Sequence, residues 1–252
     1  MAKPIGWMWD DRPDTQRPFD IAVVMPTIVR PCITRALDSI FRQDFSGSIQ
    51  IIIGIDRPVG DIQTLIDAFE KRPAHIAAYV IALPYSTSQR HGGVHSALDG
   101  GALRAILTLS AHTQHVAYLD DDNAWQPNHL RLLSSTIVGK AYAFSRRMLV
   151  HEDSHLPIAI DRWDSVGPGR GRFADSGGFV DPNCLLVDKI AIANHLGRWS
   201  STLNGQQGLT ADRNFFSAFS SEPHAECNDV TVLYSIRSTN ILLQMAHADL
   251  AR

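Results

Sequence analysis

Apolar positions change period repeatedly along the first 120 residues. Ile21 to Met25 is an apolar run of strand length, and Ile33, Leu37, Ile40 and Phe41 then fall at i, i+4, i+7 and i+8 on one helical face. Gln50 to Ile55 reads as a second strand, Ile62, Leu65, Ile66 and Phe69 as a second helix, and Ile76 to Leu83 as a third strand. Leu98 to Leu109 predicts a third helix, weakened by Gly100 and Gly101, and His115 to Leu119 a fourth strand. Four strands alternating with three helices predict a parallel α/β sheet covered on both faces, and such sheets bind ligands at the carboxyl ends of their strands.

Beyond residue 126 the pattern is less regular. Pro127 opens a helix carrying Leu130, Leu133 and Ile137, and Ala141 to Val150 with Leu156 to Ile160 predict a hairpin around the polar turn His151 to His155. A glycine-rich segment, Gly167 to Arg172, precedes FADSGGFVDPNCLLVD. A helix near Ala211 carries Phe215, Phe216 and Phe219 on its apolar side, strand Thr231 to Ile236 follows, and a last helix starts near Asn240. Residues 1–18 hold prolines, Trp7 and Trp9 without periodicity and are expected to be an irregular arm. The simplest parse is that arm and one domain over residues 19–252, with a nucleotide-type half, 19–126, and a mixed, more irregular half, 127–252.

Composition narrows the function classes. The chain has 252 residues, 44% apolar and 19% charged, enough for a large core without disulfides. With 23 Lys plus Arg against 26 Asp plus Glu, the net charge of -3 offers no field for a nucleic acid or an anionic membrane. Cys32, Cys184 and Cys227 have no metal-ligand spacing and suit a reducing compartment. No apolar run approaches a membrane span and the amino terminus is too polar for a secretory signal, so the expectation is a soluble cytoplasmic protein.

The chemistry concentrates in carboxylates. VAYLDDDN places Asp120, Asp121 and Asp122 directly after the fourth strand, where their mutual repulsion is relieved most simply by a divalent cation. In extended chain Asp120 and Asp122 point the same way, so they can share a hard cation such as Mg²⁺ or Mn²⁺ bridging a diphosphate, while Asp121 faces elsewhere. A solvated turn capping the next helix explains the same residues without a ligand. Asp56 ends the second strand in IIIGIDRP, where it suits a base or ribose contact as well as a plain turn before proline. Arg90 and the Gly167 to Arg172 segment lie in glycine-bearing loops that could close as a cationic lid over a diphosphate, against the commoner outcome of solvated arginines. Trp125, Trp163 and Trp199 suit either a stacking platform for a ligand or core packing. His151 to His155 formally matches the His-Glu-X-X-His zinc motif, but its strand-like flanks and Pro157 argue for a turn rather than the helix that chemistry needs.

VVMPTIVRPCITRALDSIFRQ, IQIIIGIDRP and VAYLDDDNAWQPNHL, in that order, resemble the nucleotide-binding half of family 2 glycosyltransferases with the GT-A fold. GGFVDPNCLLVDK and GLTADRNFFSAF extend the resemblance more weakly, to about Ile236. It implies a GT-A type domain whose second half is the acceptor side, and a hexosyltransferase using a nucleotide-diphosphate sugar, with UDP the commonest nucleotide, and a hydroxyl acceptor. Pro26 and Thr27 would line the nucleotide pocket, Asp56 would contact the base, Asp120 and Asp121 would lie at the nucleotide, and Asp122, with Asp120, would hold Mn²⁺ or Mg²⁺ as an Asp-X-Asp motif. Asp212 matches the base of inverting members, although a helix-terminal acid capped by Thr210 explains it otherwise. Departures are Ile55 in place of a first Asp and HSALDGGALRA in place of the family's Ala-Arg-Asn run. The late metal-binding His is also missing, leaving His224, a direct role of Arg237, or a weaker metal site. Rival readings are a sugar nucleotidyltransferase, disfavoured because MPTIVRPC lacks a glycine-rich phosphate loop, and a degenerate fold that only binds sugar or nucleotide.

Overall fold

IAVVMPT and IQIIIGI are apolar at nearly every position, and a strand buries both of its faces only inside a sheet covered on each side. In the computed structural model, which describes residues 8–10, 17–98, 100–202 and 210–250, a short strand β1 (Met8–Asp10) precedes these runs. They form β2 (Ile21–Thr27) and β3 (Ile49–Ile55), followed by β4 (Ile76–Ala82) and β5 (His115–Tyr118). Helices α1 (Ile33–Phe41), α2 (Ile62–Phe69) and α3 (Gly101–Ser110) connect them. These four strands, β2 to β5, are parallel in the order β4-β3-β2-β5. Right-handed crossovers in that order put α1 and α2 on one face and α3 on the other. The direction of winding reverses between β2 and β5, which opens a crevice at their carboxyl ends.

The second half adds β6 (Ala124–Trp125), α4 (His129–Thr136), β7 (Tyr142–His151), β8 (Pro157–Ile160), β9 (Gly167–Pro168) and β10 (Gly178–Phe179). Then come β11 (Leu185–Asp188), α5 (Ala211–Phe219), β12 (His224–Ile236) and α6 (Ile241–Leu250). The main sheet continues β5-β11-β7-β12-β6, with β11 antiparallel to both of its neighbours and β12 parallel to β7. One apolar cluster runs from Val23 and Ile52 through Leu186 to Phe215 and Val232. No helix among the described residues is long and apolar enough to cross a membrane.

Several sequence expectations change. Part of the expected irregular arm is an edge strand, β1, antiparallel to β4 with Trp9 opposite Val80, while Trp7 lies outside the described residues. Helix α3 starts only after Gly100, which takes φ 74°. Strand β12 begins at His224 rather than at the expected Thr231, and a bulged stretch around Glu226 to Val230 interrupts the alternation that would have marked its first part. The hairpin is present as β7 and β8, with His151 closing β7 and His155 in the left-handed region at φ 56°, so the two histidines share no helical face. Gly54 lets α3 lie close on the sheet, since a Cβ there would stand 2.7 Å from Leu103 Cγ and 2.8 Å from Leu107 Cδ1.

A buried polar group ties α4 to the sheet. His129 is fully buried, stacks on Trp125 at 4.2 Å, and meets Thr231 Oγ1 through Nδ1 at 2.6 Å. Burial lowers its pKa to about 3. The unfolded chain therefore binds a proton below about pH 6.5 that the native protein refuses, and stability falls as pH drops from about 6.5 toward 3. The expected loss from this group is about 2 kcal/mol at pH 5 relative to neutral pH. Urea melts across pH 5 to 8 should show that slope, and His129→Gln should flatten it by about one proton's worth. An unchanged acid limb in the variant would assign the slope elsewhere.

Candidate active site

The crevice between β2 and β5 opens into a cavity of about 780 Å³. Its walls come from the ends of three parallel strands: Pro26 and Thr27 from β2, Asp56 after β3, and Asp120, Asp121 and Asp122 after β5. Arg90, from the loop after β4, and Gly100, at the start of α3, complete it. The expected nucleotide-side residues are thus brought together, along with Arg30, Arg57 and Arg104. The loops after β2 and β3 brace each other, Val59 N donating to Ile28 O at 2.8 Å. Each contains a residue forced to positive φ, Val29 at 61° and Arg57 at 48°, a conformation that side-chain-bearing residues keep only where the surroundings hold it.

Two arginines serve the three carboxylates, and unequally. Asp121 is buried, accepts from Thr27 Oγ1 at 2.6 Å and pairs with Arg30, so it faces the β2 loop. Thr27 Oγ1 also accepts from Val29 N at 2.7 Å, which fixes the strained turn. Asp120 pairs with Arg104 through Oδ1, and its Oδ2 accepts from Asn183 Nδ2 at 3.0 Å. Burial works against ionisation of Asp120, but the Arg104 guanidinium and the Asn183 amide outweigh it and hold the group below the usual carboxylate range. Asp122 has only a shared contact, with Arg30 Nη2 at 3.1 Å. Burial first, then the neighbouring Asp120, pushes its pKa up to about 6. Its carbonyl oxygen accepts from Arg35 and from Ser235 Oγ, the latter at 2.7 Å.

Behind Asp120 lies a buried polar chain. Asn183 accepts from Asp120 N at 2.7 Å and donates to Asp181 Oδ1 at 2.7 Å. Asp181 Oδ2 in turn binds Arg147 Nη1 at 2.6 Å, and Arg147 Nε binds Asp161 at 2.8 Å. Arg30, Arg104 and Asn183 were not foreseen from sequence. The signal for Arg104 was its place one turn into a crossover helix that starts at the carboxyl edge. Asn183 had none, because only the pairing of β11 with β5 brings it there.

Other expected residues lie apart. Asp212 is in the first turn of α5 and is not among the cavity-lining residues, but α5 starts against α3: a Cβ on Gly101 would run into Ala211 Cβ and Trp199 O. Asp212 also contributes to the field that stabilises charged Arg104. His224 is corrected. It sits beside Tyr142 at the start of β12, whereas Asp122 backs onto Ser235 near the strand's other end, roughly 30 Å away at the usual rise per residue, so the two cannot share an ion. Arg237 pairs with Glu152 at 3.5 Å. The glycine-rich segment does not line the cavity: Arg170 binds Glu226 and Arg172 binds Asp164. Trp125 and Trp199 are core residues, the latter stacked on Phe215 at 4.1 Å. Among the described residues no group of three or more His, Cys, Asp or Glu is arranged to hold a metal alone. Asp122, with its raised pKa and 31% side-chain exposure, is the least compensated of the three consecutive acids, and its hard oxygens suit Mg²⁺ or Mn²⁺.

No protein-family model matches the chain, and no curated relative matches it. Solved structures do. S. aureus TarS is similar with a TM-score of 0.60 and 12% identity, over 86% of this chain and 37% of that one. TarS 1–349 in complex with UDP gives a TM-score of 0.60 at 12% identity over 86% of this chain and 60% of that one. TarS 1–349 in complex with UDP-GlcNAc gives 0.60 at 12% over 88% and 59%. The chain therefore spans less than two thirds of each TarS structure it matches. Likeness at this identity speaks for the fold alone, an α/β arrangement whose mixed sheet has a parallel block at its amino-terminal side.

Proposed function

We propose that the chain is a glycosyltransferase that takes a nucleotide-diphosphate sugar, with UDP as the nucleotide, and transfers the sugar to a hydroxyl acceptor with inversion. The observation that carries this reading is the meeting of Asp56, Thr27 and the Asp120 to Asp122 cluster in one cavity at the switch point of the sheet. Asp56 receives a hydrogen bond from Ser86 Oγ at 3.1 Å through Oδ2, while its buried Oδ1 has no partner among the described residues. That oxygen suits an N–H donor such as the imide of uracil. The TarS complexes with UDP and UDP-GlcNAc support the same donor class.

Charge is the central demand of the reaction, because the leaving diphosphate gains negative charge as the glycosidic bond breaks. A divalent cation bound at Asp122 would supply Lewis-acid stabilisation of that diphosphate, with its remaining ligands drawn from phosphate and water. Arg104 keeps Asp120 ionised, and Asn183 fixes both its backbone and its carboxylate. Arg90 presents a further positive charge to the cavity. Asp212 would take the acceptor hydroxyl's proton as the oxygen attacks C1, on the side opposite the leaving group.

Asp56→Ala should weaken UDP binding by about tenfold or more, the usual loss when a charged hydrogen-bond partner is removed, and calorimetry with UDP reads it. Unchanged affinity would remove Asp56 from the base site. For the chemistry, release of UDP from UDP-sugars in the presence of Mn²⁺ should fall by orders of magnitude in Asp122→Ala. Asp212→Asn should abolish transfer while leaving UDP affinity within about twofold of wild type. Full transfer in Asp212→Asn would sink the base assignment, and no release from any UDP-sugar would sink the function itself.

A further inference from the structure

We propose that Arg30 is a resident counter-cation of Asp122 which a divalent cation has to displace, so that the cation binds well only together with the diphosphate. The inference deepens the donor reading above and rests on it. One nitrogen of Arg30, Nη2, reaches both Asp121 Oδ1 and Asp122 Oδ2. A guanidinium cannot shed its charge by deprotonation, so only movement frees its partner. Its two anchors are unequal. Asp121 is additionally held by Thr27 and its side chain is 3% exposed, whereas Asp122 makes the longer 3.1 Å contact and is 31% exposed.

A divalent ion on Asp122 alone would stand within a few ångströms of Arg30, and like charges at that range repel strongly in a half-buried cavity. A diphosphate changes the balance, since its oxygens are shared by both cations. Arg30 can then keep Asp121 and turn its other N–H groups to phosphate. Arg35 and Ser235, both bonded to the Asp122 carbonyl oxygen, hold the backbone still while the side chain changes partner.

The test is Mn²⁺ binding followed by electron paramagnetic resonance of the free ion, on wild type, Arg30→Gln and Arg30→Lys, first without nucleotide and then with saturating UDP. Without UDP, Arg30→Gln should bind Mn²⁺ about tenfold more tightly than wild type, and UDP should close most of that gap. Arg30→Lys keeps the charge on a shorter side chain with no second nitrogen to turn toward phosphate, so it should fall between the two and decides the matter if the glutamine variant does not fold. Equal Mn²⁺ affinities without nucleotide, or no Mn²⁺ uptake by any of the proteins, would overturn the proposal. Tighter Mn²⁺ binding by the variants in a chain that never binds UDP would uphold the exclusion at Asp122 and overturn the donor reading instead.

Discussion

Three negative charges on consecutive residues have to be held at the edge of a buried sheet, and the surrounding structure is arranged around that demand. Asp120, Asp121 and Asp122 cannot lie together in a low-dielectric crevice unless positive groups come to them. Arg30 arrives from the loop after β2 and Arg104 from α3, so two elements on either side of the switch point are tied to the same turn. Arg35, from α1, holds the backbone of the third acid. The turn therefore sets how the strand ends and crossover helices meet, and its compensation runs lowest at Asp122.

That arrangement explains how a chain with a small net charge presents a strongly structured electrostatic site. The cavity walls carry Asp56 and the three consecutive acids, but also Arg30, Arg57, Arg90 and Arg104. Neither sign dominates, which suits a small ligand with a polar base at one end and a diphosphate at the other better than a polyanion. Buried Arg147, held between Asp161 and Asp181, continues the alternation of charge inward. A buried triad of this kind contributes little net stability, but breaking it leaves an unpaired charge, so it keeps the support beneath Asp120 in one arrangement.

Much of the architecture was legible because its signals are local. Ile21 to Met25, the Ile33 to Phe41 face and the run ending at Ile55 each carry their period within a single element. The acids were legible because three carboxylates after an apolar strand are chemically conspicuous. What escaped was non-local. Strand β11 spans only Leu185–Asp188, too short to show a period, and it is a strand because β5 and β7 flank it. Arg30 and Arg104 look like ordinary surface arginines until the sheet order brings them to the acids. His224 was expected in a loop before the last strand, but the strand already begins there, and its length carries His224 away from Asp122.

Strand β11 also decides what kind of motion this molecule can use. It is hydrogen-bonded to β5 of the parallel block on one side and to β7 of the mixed block on the other, and Asn183, just before it, bonds to the acidic turn. A seam laced on both sides cannot open like a book without tearing two ladders and unclasping Asp120. A hinge through the middle of the crevice would therefore cost the pairing on both sides of β11, whereas side chains and short loops at its rim can move without that loss.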